Sequence, residues 1–123
     1  MIRWLEGRRA FSIILVILIA TEIFFFSSIS GDIAAPGTIS KVSVIYHFSV
    51  FFLLNFFLLT SLNGKGEIKI KYLIIALMFS VIYSMLDEIH QLFVPFRYAD
   101  LGDIFTNNAG IFLSTLVYLY SKK

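Results

Sequence analysis

Cysteine is absent from this 123-residue chain, and only 15% of its residues are charged. The lack of cysteine excludes disulfides, thiolate metal sites and cysteine nucleophiles. The chain has few charged residues, 59% hydrophobic residues and a mean hydropathy of +0.87. This composition is far from that of soluble domains. The chain is therefore expected to lie in a bilayer, and its length suits a single domain.

Other absences narrow the function. No His-Glu-x-x-His arrangement occurs, so a two-histidine zinc site on one helix is not expected. No inverted repeat or pair of interrupted helices indicates a transporter. The formal net charge of +2 does not indicate nucleic acid as a partner. We therefore expect membrane lipids as partners, while the oligomeric state stays unknown.

Four apolar segments are candidates for membrane-spanning helices. They are predicted over residues 10–28, 42–62, 72–94 and 100–120 of one transmembrane domain covering residues 1–123. A turn-rich loop over 29–41 follows the first segment, and Asn63-Gly64-Lys65-Gly66 ends the second. The third reaches 23 residues only when it is carried up to Pro95. The predicted fold class is all-α, a four-helix transmembrane bundle.

Basic residues are distributed unevenly between the predicted loops. Only Lys41 and Arg97 lie on one side of the four spans, and the other side carries eight. Because short loops rich in Lys and Arg stay in the cytoplasm, both termini are predicted to be cytoplasmic. The residues on the predicted cytoplasmic side are Arg3, Arg8, Arg9, Lys65, Lys69, Lys71, Lys122 and Lys123.

The polar residues of the spans then gather toward the outer leaflet. The stretch 87–110 alone holds four of the eight acids, one of the two histidines and an arginine. A charged group at a helix centre costs roughly 2.5–3.5 kcal/mol, so such a cluster is a functional-site hypothesis. Asp103, Asn107 and Gly110 recur at helical spacing and share one face. Together with His47 near the outer start of the second helix, they predict an outward-facing polar cavity.

A spaced pattern along this stretch resembles the signature of the VanZ-like family, and its positions are Asp87, Glu88, Gln91, Phe93, Arg97, Asp103, Asn107 and Gly110. Ser27-Ser28 and His47 also resemble that family. The chain departs from it at Phe96, where the family often has glycine, and ahead of His47, where the family often has an Asp-Lys pair. The resemblance implies a multi-pass protein of the cell membrane.

The resemblance also implies two kinds of function. Founding members are associated with resistance to teicoplanin-type glycopeptide antibiotics, and the fold resembles membrane proteins associated with phosphate-bearing lipid head groups. One hypothesis is therefore an enzyme that hydrolyses or transfers a phosphate-linked lipid head group. The alternative is a non-catalytic protein that binds or shields a lipid-linked ligand of the cell envelope.

Candidate site residues follow from this chemistry. Carboxylates and imidazoles move protons or hold a divalent cation, and the candidate catalytic residues of these types are Asp87, Glu88, Asp103 and His47. Arginine binds phosphate through paired N–H groups, and a side-chain amide binds it through single N–H groups. The candidate substrate-binding residues of these types are Arg97, Gln91 and Asn107. The cofactor stays unknown, with a divalent cation as one option.

Structural roles compete with these assignments. Asp100 is predicted to cap the fourth helix, and Asp103 also fits the acidic position in its first turn. Arg97 is expected within reach of at least one of the acids Asp87, Glu88 and Asp103, where it either serves as a counter-ion or binds a phosphate. Asn55, deeper in the second helix, is predicted to form an interhelical hydrogen bond.

Overall fold

The computed structural model describes residues 1–29 and 41–123, with the side chains of residues 41 and 42 excepted. This part of the chain contains no strand and confirms the all-α prediction. The predicted loop over 29–41 lies almost wholly outside it. The helices are α1 (Ile2–Glu6), α2 (Arg9–Ser28), α3 (Lys41–Asn63), α4 (Ile70–Gln91) and α5 (Leu101–Ser121). The sequence had not predicted α1.

Three of these helices are long and apolar enough to cross a membrane, namely Arg9–Ser28, Ser43–Asn63 and Ile70–Gln91. α5 is of similar length, but Asp103, Asn107 and other polar residues in its first half keep it outside this group. Large apolar side chains remain exposed on the outside, such as Leu18, Ile82 and Leu116. Such a surface suits contact with lipid and not with water.

α3 is the central helix, in contact with each of the other four. Its residues Phe51 and Leu54 pack with Ile23 of α2 and Ile111 of α5 in one hydrophobic cluster. These four side chains are at most 2% exposed. The other helices are therefore arranged around α3.

The third predicted helix ends earlier than expected, at Gln91 and not at Val94. After Gln91, the N–H groups of Leu92, Phe93 and Val94 bond to carbonyls three residues back and not four. The reason is Pro95, which has no N–H and disfavours helical backbone at the residue before it. The helix therefore tightens into a turn, which leads into the short α4–α5 loop.

The two termini and the α3–α4 loop meet at one end of the bundle. Lys122 Nζ lies 2.7 Å from Glu6 Oε1, which also accepts a 2.6 Å hydrogen bond from Tyr118 Oη. The same ammonium donates to the carbonyls of Gly64 and Gly66 at 3.4 and 2.9 Å. A cavity of about 890 Å³, lined in part by these residues, opens at this end.

Asn55 confirms the prediction of an interhelical hydrogen bond. Its Nδ2 lies within hydrogen-bond distance of Ile111 O, Ser114 Oγ and Thr115 Oγ1 on α5, at 3.1, 2.7 and 2.9 Å. Its Oδ1 accepts from Ser80 Oγ of α4 at 3.1 Å. One fully buried amide thus joins three helices at mid-depth, where no water is at hand to replace a lost partner.

Gly110 confirms the predicted close approach of a neighbouring helix. A side-chain carbon at this position would collide with the backbone carbonyl oxygen of Phe48 and lie 3.1 Å from the backbone nitrogen of Phe52. Backbone atoms cannot move aside without shifting α3. The absence of a side chain is therefore what lets α5 lie directly against the central helix.

We expect Gly110→Ala to lower the stability of the purified protein by about 1–3 kcal/mol, because the added methyl overpacks the α3–α5 contact. Heating followed by size-exclusion chromatography in detergent gives the midpoint. Gly66→Ala is the matched control, since a side-chain carbon there meets nothing within 4 Å. Equal midpoints for the two variants would contradict the close contact.

Candidate functional site

Four helix ends meet at the end of the bundle opposite the termini. Because consecutive helices run in opposite directions, the C-terminal ends of α2 and α4 lie beside the N-terminal ends of α3 and α5. This arrangement brings together side chains that are distant in sequence. They are Ser27, His47, Asp87, Glu88, Gln91, Asp103 and Asn107, called the polar cluster below.

Asp87 is fixed by two neutral donors. Ser27 Oγ donates to its Oδ1 at 2.5 Å, and Gln91 Nε2, one helical turn along α4, donates to its Oδ2 at 3.3 Å. The side chain is buried. Ser27 thus ties the end of α2 to α4, and the carboxylate is held in one orientation.

Glu88 is also buried, 2% exposed, so both neighbouring acids of α4 face the interior. Its Oε2 accepts the backbone N–H of Asp100 at 3.1 Å. Its Oε1 is buried and has no hydrogen-bond partner in the part of the chain that the structure describes. One oxygen is therefore anchored, and the other is left available at the polar cluster.

Asp100 confirms the predicted helix cap. Its side chain accepts the N–H of Gly102 at 2.8 Å, while its own N–H donates to Glu88. Asp103 lies in the first turn of α5, as its position in the sequence indicates. Asp103 nevertheless contacts the cluster, because its Oδ2 lies 3.8 Å from His47 Nε2.

His47 is held by the side-chain amide of Asn107. Asn107 Nδ2 donates to Ser84 Oγ at 3.0 Å, and its Oδ1 lies 3.1 Å from His47 Nδ1. Because an amide oxygen can only accept, Nδ1 carries the hydrogen of this bond. The other ring nitrogen, Nε2, faces Asp103.

These groups converge closely. His47, Asp87 and Glu88 each offer one nitrogen or oxygen atom, and the three atoms lie within 4.8 Å of one another. Six of the seven residues predicted for the site from the sequence belong to the polar cluster. Ser84 and the backbone N–H of Asp100 were not predicted to contact it; helical spacing placed Ser84 on the right face of α4, but no sequence signal reveals a backbone donor.

Arg97, the seventh predicted residue, bonds elsewhere. Its Nε donates to Ile29 O at 3.0 Å and its Nη2 to Phe26 O at 2.9 Å. Among the described residues it forms no ion pair within 4.0 Å of Asp87, Glu88 or Asp103, so the expected contact with an acid is not made as an ion pair. The last carbonyls of a helix lack internal partners, and Arg97 supplies donors to those of α2.

His90 and Glu22 lie outside the polar cluster. His90 Nε2 lies 2.9 Å from Ser28 Oγ, and its ring packs on Phe24 at 4.7 Å between centroids. Glu22 is exposed on α2. Neither side chain is therefore a member of the candidate site.

The chain matches the family VanZ/LLP1 over residues 11–122, which includes every residue of the polar cluster. The chain belongs to the VanZ/LLP1 family. No curated protein and no solved structure is significantly similar to it. The family match therefore confirms the resemblance found in the sequence. It does not identify the reaction or the ligand of this VanZ/LLP1 protein.

The α4–α5 loop explains one departure from the VanZ-like pattern. Phe96 has a φ of +59°, the left-handed conformation that glycine adopts readily and other residues do not. This is the position where the family often has glycine. A glycine would adopt this turn without strain, and with Phe96 in its place Arg97 reaches the end of α2.

We expect Phe96→Gly to stabilise the protein by about 1 kcal/mol, since it removes the left-handed strain of a residue whose side chain is largely exposed. Phe93→Gly is the control, because Phe93 is exposed in the same loop without a positive φ. Thermal midpoints in detergent compare the two. A Phe96→Gly midpoint no higher than that of Phe93→Gly would contradict the strain.

Proposed function

We propose that this VanZ/LLP1 protein spans the cell membrane four times and acts on a phosphate-bearing lipid or lipid-linked head group, by hydrolysis or transfer. The observation that carries the proposal is the polar cluster itself. An imidazole, three carboxyl groups and two amides gather at one end of a bundle whose outside is apolar. Intramembrane ionisable groups of this density are costly, and they usually mark a functional site.

Burial within the bundle supports α5 as the fourth span. Its polar Asn107 and Ser114 are fully buried, while Phe112 and Leu116 point outward and are more than half exposed. The helix is therefore polar toward the other helices and apolar toward the lipid, which suits a spanning helix better than its average hydropathy indicates. Four spans also place both termini at the same end, as the contacts of Lys122 require.

The topology is tested with single cysteines in this cysteine-free chain. Because the end that contains the termini is rich in Lys and Arg, we expect a reporter at Lys123 to be cytoplasmic. A cysteine at Tyr98, or at Gly37 in the undescribed segment, should react with an impermeant reagent added to intact cells. A cysteine at Gly66 should react only after permeabilisation, and the reverse pattern would contradict the orientation.

Two groups at this end of the bundle suit phosphoester chemistry. The carboxylate of Asp103, whose Oδ2 lies 3.8 Å from His47 Nε2, can accept a proton from water or a hydroxyl, and Asn107 holds the His47 ring beside it. Arg97 uses Nε and Nη2 for the carbonyls of α2, and its remaining N–H donors stay available for a phosphate at the membrane surface.

The enzymatic hypothesis is tested by head-group turnover in nanodiscs of mixed lipids, followed by mass spectrometry. We expect Asp103→Asn to lower turnover by roughly 10²-fold or more, because a neutral amide can neither accept a proton nor bind a cation as a carboxylate does. Arg97→Lys keeps the charge but loses the planar pair of donors, so turnover should fall roughly tenfold. Asp100→Asn is the matched control and should stay within about twofold, since asparagine also caps a helix.

One observation favours the non-catalytic alternative. Asp87, Glu88, His47 and Gln91 are all at most 6% exposed, so these four groups are closed to solvent in the part of the chain that the structure describes. A protein that binds or shields a lipid-linked cell-envelope ligand, as in glycopeptide resistance, needs no poised base. Turnover that is unchanged by both site substitutions, in protein of normal abundance, would refute the enzyme and leave this alternative.

A further inference from the structure

The polar cluster has more acidic than basic side chains. Asp87, Glu88 and Asp103 carry three carboxyl groups, and His47 is the one basic side chain within 4.0 Å of any of them among the described residues. Acidic groups buried without a counter-ion are costly, and a bound cation offsets that cost.

The spacing of the donor atoms suits a single ion. The atoms offered by His47, Asp87 and Glu88 lie within 4.8 Å of one another. Two ligands of one ion, each about 2.0–2.2 Å from it, are at most about 4.4 Å apart. Glu88 Oε1 has no other partner in the described chain, and its flexible side chain leaves it able to move toward a shared ion.

The neighbours of these donors are those that metal ligands usually have. A histidine that binds a metal through one nitrogen commonly donates its other N–H to an oxygen, here that of Asn107. Asp87 is oriented by Ser27 and Gln91. These partners hold the ligands in place without neutralising their charge, which is what a cation site needs and a simple salt bridge does not.

We propose that the polar cluster binds one divalent cation through His47 Nε2, Asp87 and Glu88, with the Oδ2 of Asp103, 3.8 Å from that nitrogen, as a fourth ligand. An imidazole among carboxylates favours a first-row transition ion such as Mn²⁺ or Zn²⁺ over Mg²⁺ or Ca²⁺, which prefer oxygen alone. The ligands come from three helices, which is why no short metal motif occurs in the sequence. Binding of the ion does not depend on the identity of the head group.

The test uses the full chain in detergent, purified without a histidine tag and stripped with a chelator. Mn²⁺ and Zn²⁺ are titrated in separate experiments, and bound metal is measured by mass spectrometry after desalting. We expect about one ion per chain and a thermal midpoint raised by about 4 °C or more at saturation. Wild-type protein that retains no ion and shows no shift with either metal would overturn the proposal without bearing on head-group binding.

Two ligand variants have matched controls. Glu88→Gln and His47→Gln should lower affinity for the ion at least roughly tenfold, because they remove a ligand. Asp100→Asn and His90→Gln are also a change of acid to amide and of histidine to glutamine, but they lie nearby and outside the cluster. Both variants should bind the ion like the wild type. Ion binding that survives the ligand substitutions, or is lost equally in the controls, would place the ion elsewhere and overturn the assignment.

A substitution beside the ligands keeps the proposal testable if a ligand variant fails to fold. Asn107→Leu keeps the ligands but removes the acceptor that orients His47, so affinity should fall roughly 10–100-fold. Asn107→Asp still accepts from Nδ1 and should restore binding to within about threefold of the wild type. A purely structural role for Asn107 would leave the affinity of the folded protein unchanged in both variants, and that result would contradict the proposed site.

Discussion

The need to pair every buried polar group without water determines much of this structure. Inside a bilayer an unpaired donor or acceptor costs several kcal/mol, so the polar side chains of α3 bond either to carbonyls of their own helix or to a neighbouring helix or loop. His47 bonds to α5 near one end, Asn55 to α4 and α5 in the middle, and Asn63 accepts the N–H of Lys69 at the other end. The central helix is thereby held at three depths.

The polar cluster is the densest example of the same constraint. Ser27, Asp87 and Glu88 connect α2, α4 and the cap of α5 through two hydrogen bonds, neither of which lies within a single helix. Hydrogen bonds of this kind contribute roughly 0.6 kcal/mol each in membranes, which is modest beside the cost of burying several carboxylates. The cluster therefore stabilises the fold less than a set of apolar residues would, and function is the better explanation for its presence.

Periodicity and residue type predicted much of this from the sequence. The face that includes Asn107, Gly110 and Ser114 is buried, and Asn55 and Asp100 make the predicted hydrogen bonds. The VanZ-like pattern also identified most of the cluster. These predictions succeed because side-chain direction on a helix follows from spacing alone.

The remaining contacts depend on partners that a sequence does not show. Arg97 binds backbone carbonyls, which every residue carries, so no pattern distinguishes them from the acids nearby. Glu6, Tyr118 and Lys122 meet only because the first and last helices end at the same level. The early end of α4 depends on how many residues before Pro95 leave the helix. Helix propensity places a helix end only to within a few residues.

Convergence of imidazole and carboxylates on one point is the central claim, and its most direct test is a distance. Solid-state NMR of the protein in lipid bilayers, with labelled histidine nitrogens and carboxyl carbons, measures it between His47 and the acids of α4. With only two histidines in the chain, the His47 signal is assigned by comparison with His90→Gln. We predict through-space correlations from the His47 ring to the carboxyl carbons of Asp87 and Glu88, in line with donor atoms within 4.8 Å. A His47 ring that correlates with neither carboxyl, and contacts lipid instead, would contradict the account.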